Sequence, residues 1–236
     1  MFVVIKKRDL LAVGLLLAGI TLFQLALWQG RETLAVSGPL RGEGPAVVIL
    51  DAGHGGFDGG AVAEDGTQEA DINLAVAREL EEILQFLGTP TAMTRREDVS
   101  LQDPEAATIR QRKVSDLHNR TDFVNQIPNG ILISIHQNSL PSVPSVHGAQ
   151  VFYTPAGEPL AQAMQALLNQ VINPERHKQA KAIDPGIYLM HNTVHPAVLV
   201  ECGFLSNPQE TAALNTEAYQ TKLAVTILAA ALTHVQ

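Results

Sequence analysis

The sequence predicts a single three-layer α/β domain, with a largely parallel twisted sheet flanked by helices, preceded by an N-terminal transmembrane helix. Two observations predict the domain: short apolar runs typical of buried strands alternate with helical patterns, and no internal repeat is visible. A length of 236 residues suits one domain of ordinary size with a small additional segment. Apolar residues make up 46% of the chain, which is enough to bury a core.

The N-terminal segment has the composition of a membrane anchor. Residues 1–9 contain the basic cluster Lys6, Lys7 and Arg8, and the run 10–28 has no charged residue. At ~1.5 Å per residue this run would form a helix of about 28 Å, close to the roughly 30 Å of a bilayer core. Because the basic cluster precedes it, the rest of the chain should be exported. A cleaved signal peptide is the alternative, but the run is long for one.

Residues 29–45 are punctuated by Gly and Pro and are predicted to be a linker to a folded domain over residues 46–236. The run VVILD is apolar up to its last residue, which is typical of a strand covered on both faces, and 69–87 has apolar residues at helical spacing. The predicted strands are residues 47–51, 91–94, 131–135, 150–154, 187–190 and 197–200. The predicted helices are residues 69–87, a charged helix that follows the loop 95–105 and ends near 127, then 160–172 and 217–235.

Composition excludes several classes of function. The formal net charge is −8, and such a surface repels phosphate backbones, so nucleic-acid binding through a basic patch is excluded. Aromatic residues make up only 5%, which argues against a carbohydrate-binding module built on stacking. The single cysteine, Cys202, cannot form an intrachain disulfide or a cysteine-rich metal cluster, and is expected to be a packed small hydrophobe. Any metal must therefore be held by His, Asp and Glu.

Polar side chains stand where predicted buried strands end. His54 lies in a Gly-rich loop after the first strand, His136 directly follows the third, and Glu201 directly follows the last. Glu69 begins the first long helix. Because functional groups of parallel α/β folds gather at the carboxyl ends of strands, we expect these four side chains to converge on one edge of the sheet.

Each of these residues also has an ordinary structural interpretation. His54 alone fits a surface loop, His136 a hydrogen-bonded core histidine, and Glu69 a carboxylate facing the helix dipole. Glu201 is harder to explain in this way, because an unpaired carboxylate after a buried strand is costly to desolvate. Together, two imidazoles and a carboxylate form the ligand set of a zinc site with an open position, and a second carboxylate can serve as base. The spacing of these four residues alone does not distinguish a zinc site from four separate structural roles.

Four blocks of sequence make the pattern specific. They are residues 48–60 (VILDAGHGGFDGG), Glu69, residues 134–139 (SIHQNS) and residues 196–207 (PAVLVECGFLSN). In this order they resemble the zinc-dependent N-acetylmuramoyl-L-alanine amidases, the peptidoglycan hydrolases of the amidase 3 catalytic-domain family, over residues 46–235. The resemblance implies one Zn²⁺ per chain held by His54, Glu69 and His136, with Glu201 as the catalytic glutamate.

The resemblance also implies a substrate. It predicts cleavage of the amide bond between the lactyl group of N-acetylmuramic acid and L-alanine of the stem peptide. An anchor followed by a catalytic domain, with the run 186–191 (GIYLMH), is similar to the spore-cortex, germination-specific branch, in which peptide removal permits muramic lactam formation. The expected partners are peptidoglycan and the cytoplasmic membrane, with no nucleic acid and with an activator protein left open. The alternatives are another zinc hydrolase such as a deacetylase, or a non-catalytic wall-binding module.

Several further residues carry weaker expectations. Arg95, Arg120 and Asn138 are candidate substrate contacts by position, although a solvated surface explains the two arginines equally well. Asp51 is a candidate acceptor for the second ring nitrogen of a metal-binding histidine. Gln137 departs from the family pattern, where a small residue such as alanine is common, and is expected to alter the pocket without affecting the ligands.

Overall fold

The structure, a computed structural model, describes residues 44–234. The predicted membrane anchor at residues 10–28 lies outside this range, as does the linker apart from residues 44 and 45. Within residues 44–234, none of the helices has the length and apolar character needed to cross a membrane.

A six-stranded sheet forms the centre of the domain. The strands are β1 (Val47–Ala52), β2 (Thr91–Met93), β3 (Gly130–Asn138), β4 (Gln150–Tyr153), β5 (Lys181–Ala182) and β6 (Ala197–Phe204). Their order is β2-β1-β3-β6-β4-β5, and every neighbouring pair is parallel except β4 with β6. The predicted, largely parallel sheet is therefore confirmed, and its carboxyl edge collects the loops that follow β1 and β3.

Helices cover both faces of the sheet. They are α1 (Glu69–Phe86), α2 (Ile109–Asn125), α3 (Glu158–Val171), α4 (Tyr188–Asn192), α5 (Pro208–Leu214) and α6 (Glu217–Leu232). The larger core packs α1, α3 and α6 against one face of the sheet, and a smaller cluster around Val124 packs α2 and α4 against the other. Alternate residues of one strand serve the two cores: Val48 and Leu50 belong to the larger, and Ile49 to the smaller.

One predicted strand is wrong. Residues 187–190 are not extended: Tyr188–Asn192 forms the short helix α4, and strand β5, two residues long, lies earlier at Lys181–Ala182. Leu189 and Met190 are consecutive and both buried in the smaller core, whereas consecutive residues of a strand point to opposite faces. A short apolar run does not distinguish these two structures by periodicity.

The other differences concern element boundaries and one additional helix. β3 and β6 continue beyond the predicted ends, so His136 and Glu201 lie within the strands rather than after them. Helix α5 was not predicted, although its start is readable in the sequence. Asn207 caps it by accepting hydrogen bonds from the N–H groups of Gln209 and Glu210, and Pro208 occupies its first position.

Candidate active site

Three predicted metal ligands meet at the carboxyl edge of the sheet. His54 lies in the loop after β1, Glu69 is the first residue of α1, and His136 lies near the end of β3. One potential ligand atom from each residue lies within 4.8 Å of the other two. Among residues 44–234, no second group of His, Cys, Asp or Glu side chains is this compact.

The spacing of the three side chains fits a small tetrahedral cation. Glu69 Oε1 lies 3.4 Å from His54 Nε2 and 2.9 Å from His136 Nδ1. A zinc ion at ~2.0–2.2 Å from each ligand places neighbouring ligand atoms roughly 3.3–3.5 Å apart. The two distances to Glu69 Oε1 lie within a few tenths of an ångström of this range, and the ligand atoms of all three residues lie within 4.8 Å of one another. Two imidazoles and one carboxylate also form a ligand set that zinc accepts while keeping a fourth position open. The residues therefore fit zinc.

The electrostatics of the three ligands favour a positive charge between them. Burial alone would raise the pKa of Glu69, but hydrogen bonds to His136 and His54 outweigh it and hold the pKa far below its usual range. Burial would likewise lower the pKa of His54, but its bonds to Asp58 and Glu69 raise it to about 9. Metal binding must displace a proton held this firmly, so a metal here competes with protons.

The loop that carries His54 is shaped for close contact with β3. His54 itself has φ 62°, in the left-handed region that non-glycine residues rarely adopt. Gly53 makes room for the second imidazole, because a Cβ at Gly53 would lie 2.2 Å from Cε1 of His136. The rings of His54 and His136 consequently pack edge to face, with centroids 5.1 Å apart.

Both carboxylate oxygens of Glu69 are held in place. Oε2 accepts a hydrogen bond from the N–H of Ala61 at 2.9 Å, and Oε1 accepts one from the N–H of Gln137 at 3.1 Å. Asn73, one turn along α1, also donates to Oε1 at 3.4 Å and to the carbonyl of Gly53 at 3.1 Å. These bonds connect α1, β3 and the His54 loop, so the ligand geometry is fixed by three elements of the fold.

Asp58 orients the first histidine. Its Oδ2 lies 3.0 Å from His54 Nδ1, on the side of the ring that faces away from Glu69. Lys113 of α2 pairs with the other oxygen of Asp58 at 3.0 Å, and the hydrogen bond to His54 lowers the pKa of Asp58. A carboxylate behind a metal-binding histidine fixes its tautomer and raises its basicity. The expectation that Asp51 has this role is not met: Asp51 instead bonds to Ser134, Thr94 and Arg120.

Glu201 lies beside the three ligands without belonging to their cluster. It is the register partner of His136 across the β3–β6 pair, so the two side chains leave the sheet on the same face. Its Oε2 is buried and has no hydrogen-bond partner among the described residues. Burial raises the pKa of Glu201 to about 7, and the nearby charge of Glu69 contributes, against the opposing effect of His136. A carboxylate with a near-neutral pKa and a free oxygen is well suited to move protons.

The raised pKa of Glu201 predicts a pH-dependent stability. The folded protein holds this proton up to about pH 7, whereas the unfolded chain releases it near pH 4.5, so stability is lost as pH rises between the two values. In metal-free protein, we expect Glu201→Gln to raise the free energy of unfolding by roughly 1–3 kcal/mol at pH 8 and by much less at pH 4.5. Urea denaturation with a chelator at both pH values measures this. An equal effect at both would contradict the burial argument.

Comparison with known proteins identifies the family. The sequence profile of the N-acetylmuramoyl-L-alanine amidases matches residues 48–233, most of the chain and nearly all of the described domain. The chain belongs to this amidase family. The resemblance seen in the four sequence blocks is thereby confirmed.

The relatives agree with this assignment. A germination-specific N-acetylmuramoyl-L-alanine amidase of Bacillus subtilis (strain 168) is 39% identical over 192 residues, which covers 80% of this chain and 78% of the relative. Among solved structures, the CwlD amidase from Clostridioides difficile in complex with the GerS lipoprotein superposes with a TM-score of 0.76 at 36% identity, covering 80% of this chain and 97% of that one. The amidase AmiC2 of Nostoc punctiforme gives a TM-score of 0.70 at 26% identity, covering 83% and 99%.

Two of the three predicted substrate contacts of this amidase lie behind the site. Arg95 and Arg120 are only 3% and 2% exposed, and their guanidinium groups bond to backbone carbonyls of residues 52–54. Both side chains are buried in the interior, so the two arginines are neither substrate contacts nor part of a solvated surface. Asn138 lies at the end of β3 and is partly exposed, so its contact with substrate stays a prediction.

The two other residues noted in the sequence pack beside the ligands. Gln137 is buried, and its Nε2 donates to Oδ1 of Asn73 at 3.2 Å, so it joins the group that holds Glu69. Cys202 is fully buried in the larger core, and burial raises the pKa of its thiol. The prediction that this cysteine is a packed hydrophobe is confirmed, since a nucleophilic thiol needs exposure and a lowered pKa.

Proposed function

We propose that this chain is a zinc-dependent N-acetylmuramoyl-L-alanine amidase that hydrolyses the bond between the lactyl group of N-acetylmuramic acid and L-alanine. One observation carries the proposal: the unpartnered, buried Oε2 of Glu201 lies beside a compact His–Glu–His cluster. Three ligands that leave a position open, next to a carboxylate that can exchange a proton near neutral pH, are the components of metal-assisted amide hydrolysis.

The roles of the chain's own residues follow from their chemistry. His54, Glu69 and His136 would hold zinc, which when bound supplies Lewis-acid polarisation of a carbonyl and acidifies water in the site. Glu201 accepts a proton from the attacking water and returns it to the alanine nitrogen, because an amide nitrogen departs readily only when protonated. With its pKa at about 7, Glu201 can both accept and donate a proton near neutral pH. Asn138, at the end of β3, is the candidate substrate contact.

The bond that is cleaved can be tested directly. Purified peptidoglycan is incubated with the full chain, and the soluble products are analysed by mass spectrometry. The amidase should release stem peptides with a free N-terminal alanine and leave glycan strands without peptides. Release of acetate with the peptides still attached would instead show that the chain is a deacetylase. If neither peptides nor acetate are released, the chain is a binding module. The Glu201→Gln protein is the matched negative control.

We extend the proposal to the spore cortex. The Bacillus subtilis relative is germination-specific by name, and the Clostridioides difficile relative was solved with the GerS lipoprotein. By analogy, this chain would remove stem peptides during cortex maturation, before muramic lactam formation, with the help of a protein partner. Expression in a Bacillus subtilis strain that lacks its germination-specific amidase tests this. Muramic lactam should return with this chain and not with its Glu201→Gln variant, and failure with an active enzyme would reject the sporulation role.

We also propose that residues 10–28 anchor the catalytic domain to the outer face of the cytoplasmic membrane. The domain at residues 44–234 has its own core, so removing residues 1–30 should give a soluble protein that unfolds cooperatively and still binds zinc. Thermal unfolding and metal content of the truncated chain measure this. Membrane fractionation of the full chain should retain it, whereas the truncated chain should be released. A truncated chain that aggregates would show that the predicted boundary is wrong.

A further inference from the structure

Two buried arginines converge on the backbone that carries the first metal ligand. Arg95 follows β2 and donates from Nε to the carbonyl of Ala52 at 2.9 Å and from Nη2 to that of Gly53 at 3.1 Å. Arg120 of α2 donates from Nη1 to the carbonyl of Ala52 at 2.9 Å and from Nη2 to that of His54 at 2.6 Å. Three successive carbonyls therefore point at guanidinium groups.

The two arginines are held differently. Arg120 forms ion pairs with Asp51 at 2.8 Å and with Asp116 at 2.7 Å. Among the described residues, Arg95 bonds only to backbone carbonyls, which besides those of Ala52 and Gly53 are the carbonyl of Ala70 at 2.8 Å and that of Glu97 at 3.1 Å. Two like charges buried side by side are unfavourable unless fixed acceptors compensate for them. The carbonyls of residues 52–54 supply four of these acceptor contacts.

The loop needs such support because its backbone is strained at the metal ligand. His54 has φ 62°, which is unfavourable for a residue with a Cβ, and strained residues persist where their surroundings fix them. Arg120 bonds to the carbonyl of His54 itself. Relief of this strain requires rotation of the peptide between Gly53 and His54, and that rotation would break the charge-assisted hydrogen bond that Arg95 Nη2 donates to the carbonyl of Gly53.

The sequence of the loop also makes room for Arg95. A Cβ at Gly55 would lie 2.8 Å from Nε of Arg95 and 2.5 Å from the carbonyl oxygen of Val99. The position after the metal ligand therefore has to be glycine for the guanidinium to reach the carbonyls. His54, Gly55 and Arg95 form one structural unit, although they belong to two loops.

We propose that Arg95 and Arg120 form a clamp, defined as these two guanidinium groups and the carbonyls of residues 52–54, that fixes the His54 backbone for metal binding. Both are positioning residues, since they lie behind the loop and act through His54. The inference rests on the proposed function only in that His54 is taken as a metal ligand. The clamp holds the ligand in its binding conformation before the metal arrives.

The first test uses the wild-type chain. The N–H of Gly55 bonds to the carbonyl of Asp58 at 2.8 Å, so its hydrogen exchange, followed by NMR, reports on the loop. A clamped loop should keep the protection of this amide within about threefold when a chelator removes the metal. Loss of most of that protection, while core amides are unaffected, would show that the metal shapes the loop and would overturn the proposal.

The second test replaces the planar guanidinium group of Arg95 with an ammonium group of the same charge. A lysine ammonium is a single compact group that cannot span the four carbonyls contacted by the guanidinium of Arg95, so in Arg95→Lys zinc affinity should fall about 10–100-fold, and Gly55 should exchange faster while core amides do not. Arg96→Lys is the matched control: Arg96 is the next residue, pairs with Glu81 of α1, and should leave zinc affinity unchanged. Arg120→Lys should act in the same direction as Arg95→Lys.

The outcomes separate this proposal from the proposed function. Zinc affinity is measured by competition with a chromogenic chelator and requires no amidase activity. A normal zinc affinity and a normal Gly55 exchange rate in Arg95→Lys would overturn the clamp while leaving the amidase intact. Equal acceleration of all amides would also overturn it, because it would reduce Arg95 to a general stabilising residue. A wild-type chain that binds zinc but cleaves no muramoyl–alanine bond would refute the proposed function alone.

Discussion

Replacing His136 with alanine should abolish tight zinc binding and, with it, hydrolysis. His136 Nδ1 lies 2.9 Å from Oε1 of Glu69, and without the imidazole only two protein ligands remain. Loss of a hydrogen-bonding partner behind a ligand typically costs 10–100-fold in metal affinity, so loss of a ligand itself should cost more than about 100-fold. Zinc content after dialysis and affinity by chelator competition measure the effect.

An exposed histidine provides the control for this experiment. His147 lies in the loop after β3, and its Nδ1 faces the carbonyl of Ser145, outside the ligand cluster. His147→Ala should keep zinc and activity. The His136→Ala protein should also remain folded, because the surrounding strand is buried in the core through Ile133 and Ile135. Stoichiometric zinc in purified His136→Ala protein would refute the ligand assignment.

The elements that position the site were predictable because they obey simple local rules. The continuous apolar runs of β1 and β3 can only be buried strands or short buried helices, and their length decides between the two. The helix predicted over residues 69–87 is followed by Gly88 and Pro90, which favour a helix end, and α1 ends within one residue of that prediction, at Phe86. Parallel strands then bring His54 and His136 to one edge without further information, since functional groups gather at the carboxyl ends of such sheets.

The residues around the ligands could not be predicted in the same way. Arginine is usually a surface residue, so the sequence gives no reason to bury Arg95 or Arg120. The neighbouring residues do not show that carbonyls 25 to 68 positions away accept their hydrogen bonds. Asp58 is four residues from His54, but its role depends on the left-handed turn at His54, which brings the carboxylate back to the ring. These contacts exist only after the tertiary structure has formed. The prediction of a strand at residues 187–190 is wrong for a similar reason. Whether this short apolar run forms a strand or a helix is decided by its packing against α2 in the folded protein.

Replacing Glu201 with glutamine should stop catalysis while the metal stays bound. Glutamine keeps nearly the same shape and volume, but it cannot accept a proton at neutral pH. A general acid–base group contributes about 10²–10⁴-fold to the rate, and the loss should appear in kcat rather than in KM, because proton transfer matters most in the transition state. Turnover on soluble muramoyl peptides and zinc content must be measured on the same preparation.

The zinc content decides between two roles for Glu201. Its Oε2 has no partner among the described residues, and Glu201 is not part of the cluster formed by the three ligands, so the structure favours the base. A fourth ligand would behave differently, since Glu201→Gln would then lose zinc and activity together. Glu82→Gln, the same substitution at an exposed position of α1, should leave both unchanged. Zinc-replete, inactive protein would establish Glu201 as the proton carrier, whereas near-normal turnover would exclude it from the chemistry.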